Sequence, residues 1–193
     1  MNIKQVIVIG ASGSLASYVI EELQQRSDTH LTLFVRNKNR LKKQNTLNAT
    51  IVEGDVTDYN TLRDAIKGKD IVYVNLAGDL EVMAKNIVKA MQEDGVKRIV
   101  AISSIGIYKT PLKPVLVPYR KLADVIESSG LEYTILRPDW FTNGAEVDYE
   151  ITRKGEPEKG TAISRKSIAA FVATIVENPE LWKNENLGIS KPA

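Results

Sequence analysis

Gly10, Gly13 and Ala16 recur at intervals of three where an apolar run ends and a helical pattern begins, in "VIVIGASGSLASYVIEEL" (Val6 to Leu23). A glycine permits the tight turn, a small side chain lets an anion approach the backbone, and the free N–H groups of the first helical turn hold it. That is the chemistry of a phosphate or pyrophosphate cradle. A second charged feature follows in "LFVRNKNRLKK", where Arg36 comes directly after an apolar run and Arg40 four residues later. A guanidinium matches phosphate bidentately. At the end of the second strand of a dinucleotide-binding unit, an Asp or Glu binds the ribose 2′-OH, whereas an arginine accommodates a 2′-phosphate. No carboxylate stands in this stretch, so the pattern predicts NADP(H) in preference to NAD(H). Lys38, Lys42 and Lys43 read as a solvated basic face.

Other chemistries are excluded by what the chain lacks. It has no cysteine and one histidine, so disulfide, thiolate and His-cluster metal chemistry have no residues to use, and no metal is expected. The 26 basic and 24 acidic residues are interspersed, with a net charge of +2, which gives no electrostatic case for a nucleic-acid or membrane partner. No apolar run approaches the roughly 18 residues of a membrane span. The start, "MNIKQVIVIG", reads as a strand and not as a signal peptide, and a cytoplasmic protein is expected.

These side chains need a scaffold, and the hydrophobic pattern supplies one. Short apolar, β-branched runs at Val6 to Ile9, Leu31 to Val35, Thr50 to Val52, Ile71 to Asn75, Arg98 to Ser103, Tyr133 to Leu136 and Leu187 to Ser190 suit parallel strands buried on both faces. Between them, Leu80, Met83, Ala84, Ile87, Val88 and Met91 fall on one helical face, as do Ile168, Phe171, Val172, Ile175 and Val176. This alternation predicts an α/β fold, a three-layer, doubly wound parallel sheet of about six or seven strands. Residues 1–193 read as one domain, with a small substrate-side segment from about 139 to 193. Two irregular stretches, "YKTPLKPVLVP" with its three prolines and "DWFTNGAEVDYEITRKGEPEKGTA", follow C-terminal strand ends and are candidate substrate walls. A monomer is favoured over a homodimer, because the Leu80 to Met91 stripe can be used wholly against the sheet.

In order along the chain, "GASGSLA", "VRNKNRL", "VEGDVTD", "VNLAG", "ISSIGIY", "GLEYTILRPDW" and "ISRKSIA" resemble the atypical short-chain dehydrogenase/reductases, the NmrA-like and biliverdin/flavin-reductase-like NAD(P)-binding Rossmann proteins. The resemblance implies that Gly10, Ser12, Gly13, Ser14 and Leu15 hold the pyrophosphate and that Asp55 and Val56 flank the adenine. An Asp there is also a natural helix cap. It implies that Leu76, Ala77 and Gly78 pass beneath the ribose and nicotinamide, and that Ser103 and Ser104 end a strand near the reactive ring. Arg137 and Pro138 close the sixth strand, and Pro138, Trp140 and Phe141 roof the nicotinamide, with Trp140 and Phe141 on the substrate side.

Ordinary relatives use a Tyr-x-x-x-Lys pair, yet none of the seven tyrosines has a lysine four residues on. Lys121 resembles the family lysine and is expected to reach the nicotinamide ribose, but Val117 stands four before it. Tyr119 is two residues away, about 200° around a helix, and falls with Leu122, Ala123 and Ile126 on a core-facing stripe. Ser104, Lys121 and Tyr119 are therefore the candidate catalytic residues, with Ser104 or solvent as proton source. His30, in "SDTHLTLF", falls before the second strand at the end of the sheet away from the crevice. The resemblance implies an NADPH-dependent reductase of a carbonyl, quinone or flavin-type substrate. Two alternatives remain: an NmrA-like NADP(H) redox sensor and, more distantly, a sugar-nucleotide epimerase or dehydratase.

Overall fold

The computed structural model describes residues 3–192. The first strand, β1 (Lys4–Ile9), has every residue from Val6 to Ile9 wholly buried. It lies between β2 (Thr29–Val35) and β4 (Ile71–Val74), parallel to both. β3 (Ala49–Glu53) pairs with β2, while β5 (Arg98–Ile102) and β6 (Glu132–Pro138) continue from β4. β10 (Glu185–Ser190) joins β6 in parallel, and β8 (Glu150–Arg153) closes the edge antiparallel to β10. The order is thus β3-β2-β1-β4-β5-β6-β10-β8. A two-residue parallel pair, β7 (Phe141–Thr142) and β9 (Ile163–Ser164), stands apart from this sheet.

The period-two alternation of the strands divides the core into two layers. Val6, Val8 and Tyr73 face α1 (Ser14–Leu23) and α5 (Arg165–Glu177), which pack on each other. Ile7, Ile9 and Val72 face α2 (Tyr59–Ile66), α3 (Leu80–Glu93) and α4 (Val117–Glu127), packed in that order. Parallel strands require such cover on both faces, which is why their sequences are continuously apolar. The α5 stripe Ile168, Phe171, Val172, Ile175 and Val176 is buried throughout. So is the α3 stripe, except that Met83 is only partly covered.

Two features differ from the sequence reading. β8 turns the expected loop of residues 139–162 into an edge strand. Its approach to β10 depends on Gly188, where a Cβ would stand 2.3 Å from the Thr152 hydroxyl oxygen. α5 and β10, counted from the sequence among the sheet and its helices although they fall within the 139–193 segment, lie in the main layers of the fold. His30 lies inside β2 and not ahead of it, with its Nε2 3.0 Å from the Thr50 hydroxyl, at the strand end remote from the glycine turn.

Candidate nucleotide-binding cleft

The C-terminal ends of β1 to β4 open on a cleft of about 360 Å³. Its floor is the turn between β1 and α1. Gly10 has φ +86°, and a Cβ on it would stand 2.1 Å from the Asn75 carbonyl oxygen. The position therefore demands glycine for both backbone conformation and space. Gly13 is the N-cap of α1, where a Cβ would meet the Gly10 carbonyl oxygen at 3.2 Å and the Asn75 amide nitrogen at 3.3 Å. Ala16 is wholly buried one turn further on.

The start of α1, like that of α4, lacks the side-chain cap that the other three helices have. Asp58, Asp79 and Ser164 each accept a hydrogen bond from the first turn of α2, α3 and α5. Gly13 has no side chain to do so, and the first turn of α1 has no acidic residue. Its N–H groups and the positive end of its dipole therefore face the cleft uncompensated, which suits an anion.

Arg36, directly after β2, and Arg40, in a short 3-10 turn, both line the cleft. The sequence left this corner without a carboxylate, but the fold brings one close. Glu53 pairs in register with Val35, and its carboxylate accepts a hydrogen bond from the Lys38 N–H at 3.2 Å. It is not part of the cleft wall, and its engagement fixes the loop that carries the two arginines.

Asp55 and Val56, following the neighbouring strand β3, line the cleft as well. Asp55 Oδ1 accepts from the Thr57 N–H at 2.8 Å and the Thr57 hydroxyl at 2.7 Å. These two bonds, assisted by the charge of Arg36, hold the Asp55 carboxyl below its ordinary range despite partial desolvation. Capping of α2 falls to Asp58 instead, leaving Asp55 as an ionised acceptor beside the cleft.

Gly10, Ser12, Gly13, Ser14, Leu15, Leu76, Ala77, Tyr119 and Phe141 complete the set of sequence-selected residues that line the cleft. Others are placed elsewhere. Gly78, with φ +115°, turns the chain into α3 and accepts from the Leu80 N–H at 2.9 Å. Ser103 is buried and donates its hydroxyl to the Tyr119 carbonyl at 3.1 Å, tying β5 to α4. Pro138 is buried at the end of β6, where its carbonyl accepts from the Ile105 N–H. Lys121 is not among the residues that line the cleft; its ammonium pairs with Glu81 on α3. Tyr119 follows its core-facing stripe only in part, because at the first turn of α4 it is half-buried and meets the cleft. Arg137 is 1% exposed within the protein, bound to Glu158 at 3.1 Å and to the Asn186 side chain at 2.9 Å.

Five cleft residues, Phe34, Val35, Gly54, Asn75 and Met83, were not singled out as site residues from the sequence. Asn75 bears on both cradle glycines, and Met83, in the first turns of α3, has its methyl 3.7 Å from where a Cβ on Gly78 would stand. Asn75 is the polar residue ending an otherwise apolar strand, a signal that was present in "VNLAG".

Beside the cleft lies a second hollow of about 570 Å³, lined by Ser104, Ile105, Gly106, Lys109 to Pro111, Lys113, Val115, Leu116, Asp139, Trp140 and Gly160. Both irregular stretches of the sequence contribute to it. Trp140 lines the hollow and Phe141 the cleft; Leu116 lines the hollow and Tyr119, three residues on, the cleft.

A doubly wound sheet with a glycine cradle at its first crossover and its cleft at the strand-order reversal defines a dinucleotide-binding Rossmann protein. The chain belongs to the NAD(P)H-binding family, whose model matches residues 10–179. It is similar to a Rossmann-fold NAD(P)-binding family protein from Shigella flexneri, at 42% identity and TM-score 0.92, covering 100% of this chain and 95% of that one. A short-chain dehydrogenase/reductase from Veillonella parvula, solved in complex with NADP, shares the fold at 23% identity and TM-score 0.89, with 98% and 95% of the two chains covered. Among curated proteins, NAD(P)H azoreductase of Xenophilus azovorans is 27% identical over 90% of this chain and 64% of its own length. The atypical short-chain dehydrogenase/reductase resemblance fits these relatives. Among the described residues, no helix is long and apolar enough to cross a membrane, and no cluster of His, Asp and Glu could hold a metal.

Proposed function

We propose that this protein is an NADPH-dependent reductase of a small conjugated or carbonyl acceptor, of the quinone, flavin or aldehyde kind. The observation that carries this reading is one cleft lined by both the uncapped, glycine-bearing N-terminus of α1 and two arginines, with a second hollow whose lining continues along the same chain segments. The residues fit the dinucleotide. Gly10 and Gly13 let the turn pack directly against Asn75 and leave no side chain over the start of α1, and two cations, Arg36 and Arg40, line the same cleft.

In this reading the turn from Gly10 to Leu15 binds the pyrophosphate, Asp55 and Val56 hold the adenine, and Arg36 and Arg40 bind a 2′-phosphate. Leu76, Ala77 and Tyr119 form the wall toward the reactive end, and Phe141 covers it. When bound, the reduced nicotinamide supplies a hydride, two electrons and one proton in a single transfer. The chain contributes orientation and exclusion of water, which are large effects in themselves. No lysine cation stands beside Tyr119 to ready its phenol, since Lys121 is held by Glu81. The Ser104 hydroxyl lies in the hollow, turned to the Ile105 carbonyl at 3.3 Å. The second proton therefore comes from solvent or from Ser104 after rotation of that hydroxyl. The azoreductase relative acts in the same class of chemistry by its name, and that supports the reading.

A monomer agrees with the burial of Leu80, Ala84, Ile87, Val88 and Met91 inside the chain's own core. A second reading, an NADP(H)-sensing protein, is favoured by the missing Tyr-x-x-x-Lys pair alone. The deciding experiment is NADPH consumption measured against a panel of quinones, flavins, linear tetrapyrroles and aldehydes, with calorimetry of cofactor binding in parallel. Turnover with one class of acceptor is expected. Tight NADPH binding without turnover on any of them would replace the reductase reading with the sensor.

A further inference from the structure

The second hollow carries more information than its position. Lys109 and Lys113 stand on its rim, both exposed, and neither joins an ion pair among the described residues. Asp139 is the single carboxylate lining it, so the local balance is cationic. On the same hollow Trp140 is 82% exposed and Val115 is 71% exposed. An uncovered indole and an uncovered aliphatic side chain lining one hollow make a surface that a flat apolar body would cover, and such uncovered patches commonly mark binding sites.

The walls are held in place. Glu158 accepts from the Gly106 N–H at 2.9 Å through one oxygen and from buried Arg137 through the other. That fixes the connection leading to Gly160 against the turn after β5. Chain continuity links the hollow to the cleft: Trp140 leads directly to Phe141, and Leu116 lies one turn from Tyr119. The two cavities thus draw on adjacent residues of the same two segments.

Resting on the reductase reading for its chemistry, we propose that the hollow binds a planar conjugated acceptor bearing an anionic substituent. Its ring lies against Trp140 and Val115, and its carboxylate or sulfonate lies at Lys109 and Lys113. Its electron-accepting edge points to Phe141 and Tyr119. For a quinone the balance is two electrons and one proton delivered as hydride from NADPH, with a second proton from water. The products are the hydroquinone and NADP⁺.

Anthraquinone-2-sulfonate and the neutral 2-(hydroxymethyl)anthraquinone serve as probes. Binding is read first without cofactor turnover, by quenching of tryptophan fluorescence, since Trp140 and Trp182 are the two indoles of the chain. The sulfonate should quench at lower concentration than the neutral probe. The advantage should shrink as ionic strength rises. Trp140→Phe should remove the quench. The double variant Lys109→Ala/Lys113→Ala should weaken sulfonate binding about tenfold and leave the neutral probe within about twofold. Both lysines are exposed, so circular dichroism should show an unchanged fold. Equal binding of both probes, no effect of the lysine substitutions, or quenching that survives in Trp140→Phe would each overturn the assignment. NADPH oxidation is then followed with the same probes. Lysine-dependent binding without oxidation would retain the hollow as an anion-reading site and overturn the reductase reading, whereas oxidation indifferent to the lysines would do the reverse.

Discussion

Arg36→Ala tests the choice of cofactor. Arg36 is exposed, lines the cleft with Arg40, and joins no ion pair among the described residues. A phosphate monoester carries about −1.5 to −2 charges at neutral pH. One charge pair at about 4 Å with water-like screening is worth about 1 kcal/mol. A guanidinium facing that phosphate is then worth about 1.5 to 2 kcal/mol, or about 10- to 30-fold in affinity. The larger figures of a buried pair do not apply, because solvent reaches this side chain. Calorimetric titration should show NADP⁺ binding at least about tenfold more tightly than NAD⁺. Arg36→Ala should remove most of the difference, and Arg40→Ala a smaller part. Raising the ionic strength should erode the preference in the parent and not in Arg36→Ala. Glu53→Gln should leave NAD⁺ affinity unchanged, because that carboxylate is engaged by the Lys38 N–H off the cleft wall. Equal affinities in the parent, or an Arg36→Ala loss as large for NAD⁺ as for NADP⁺, would refute the reasoning.

Ala16→Leu should lower the melting temperature or cofactor affinity, since Ala16 is wholly buried where α1 meets the sheet; Gln25→Leu, at an exposed position just past α1, should do neither in the same thermal melt. Tyr119→Phe should change turnover by less than about tenfold, against the 10² to 10⁴ typical of a lost general acid; rates at saturating NADPH decide, and a collapse with cofactor affinity intact would restore a tyrosine-based mechanism. Glu127 should shape the acid limb of stability. Burial opposes its charge, but hydrogen bonds from Lys154, Asn186 and Tyr108 prevail and hold its carboxyl below the ordinary 4.5. Its folded value is lower than its unfolded one, so its contribution is complete above the unfolded value and is lost as pH falls through the folded one. Denaturant melts across that acid range should show a shallower decline in Glu127→Gln.

The central parallel strands were legible because they are apolar runs, and burial on both faces allows little else, whereas edge strand β3 carries no buried residue. The cradle was legible because Gly10, Gly13 and Ala16 are each demanded by backbone conformation or close approach. What escaped depended on partners distant in sequence. Glu53 stands beside the arginine loop only because β3 pairs with β2 in register at Val35. β8 has no strong alternation of its own and becomes a strand because β10 offers an edge with Gly188 opposite Thr152. Arg137 reads as a charge at a strand end, yet it is buried against Glu158 and Asn186, contacts 21 and 49 residues away. Lys121 matched a family position by type, but its direction was decided by Glu81, 40 residues earlier on another helix.

The placement of β10 between β6 and β8 imposes an order on assembly. β8 is made before β10 but finds no place in the main sheet until β10 has docked on β6. The hollow's wall from β8 to Gly160 depends on that same docking, since Arg137 holds Glu158 while binding Asn186 of β10. The earlier strands, by contrast, can pair as the chain emerges, each beside a neighbour already present. The nucleotide cleft, built from β1 to β4, can therefore form early, whereas the second hollow is completed by the final strand. Nascent chains halted before residue 185 should acquire the glycine cradle without the fixed Glu158–Gly160 wall of the second hollow, so the last strand separates the completion of one concavity from that of the other.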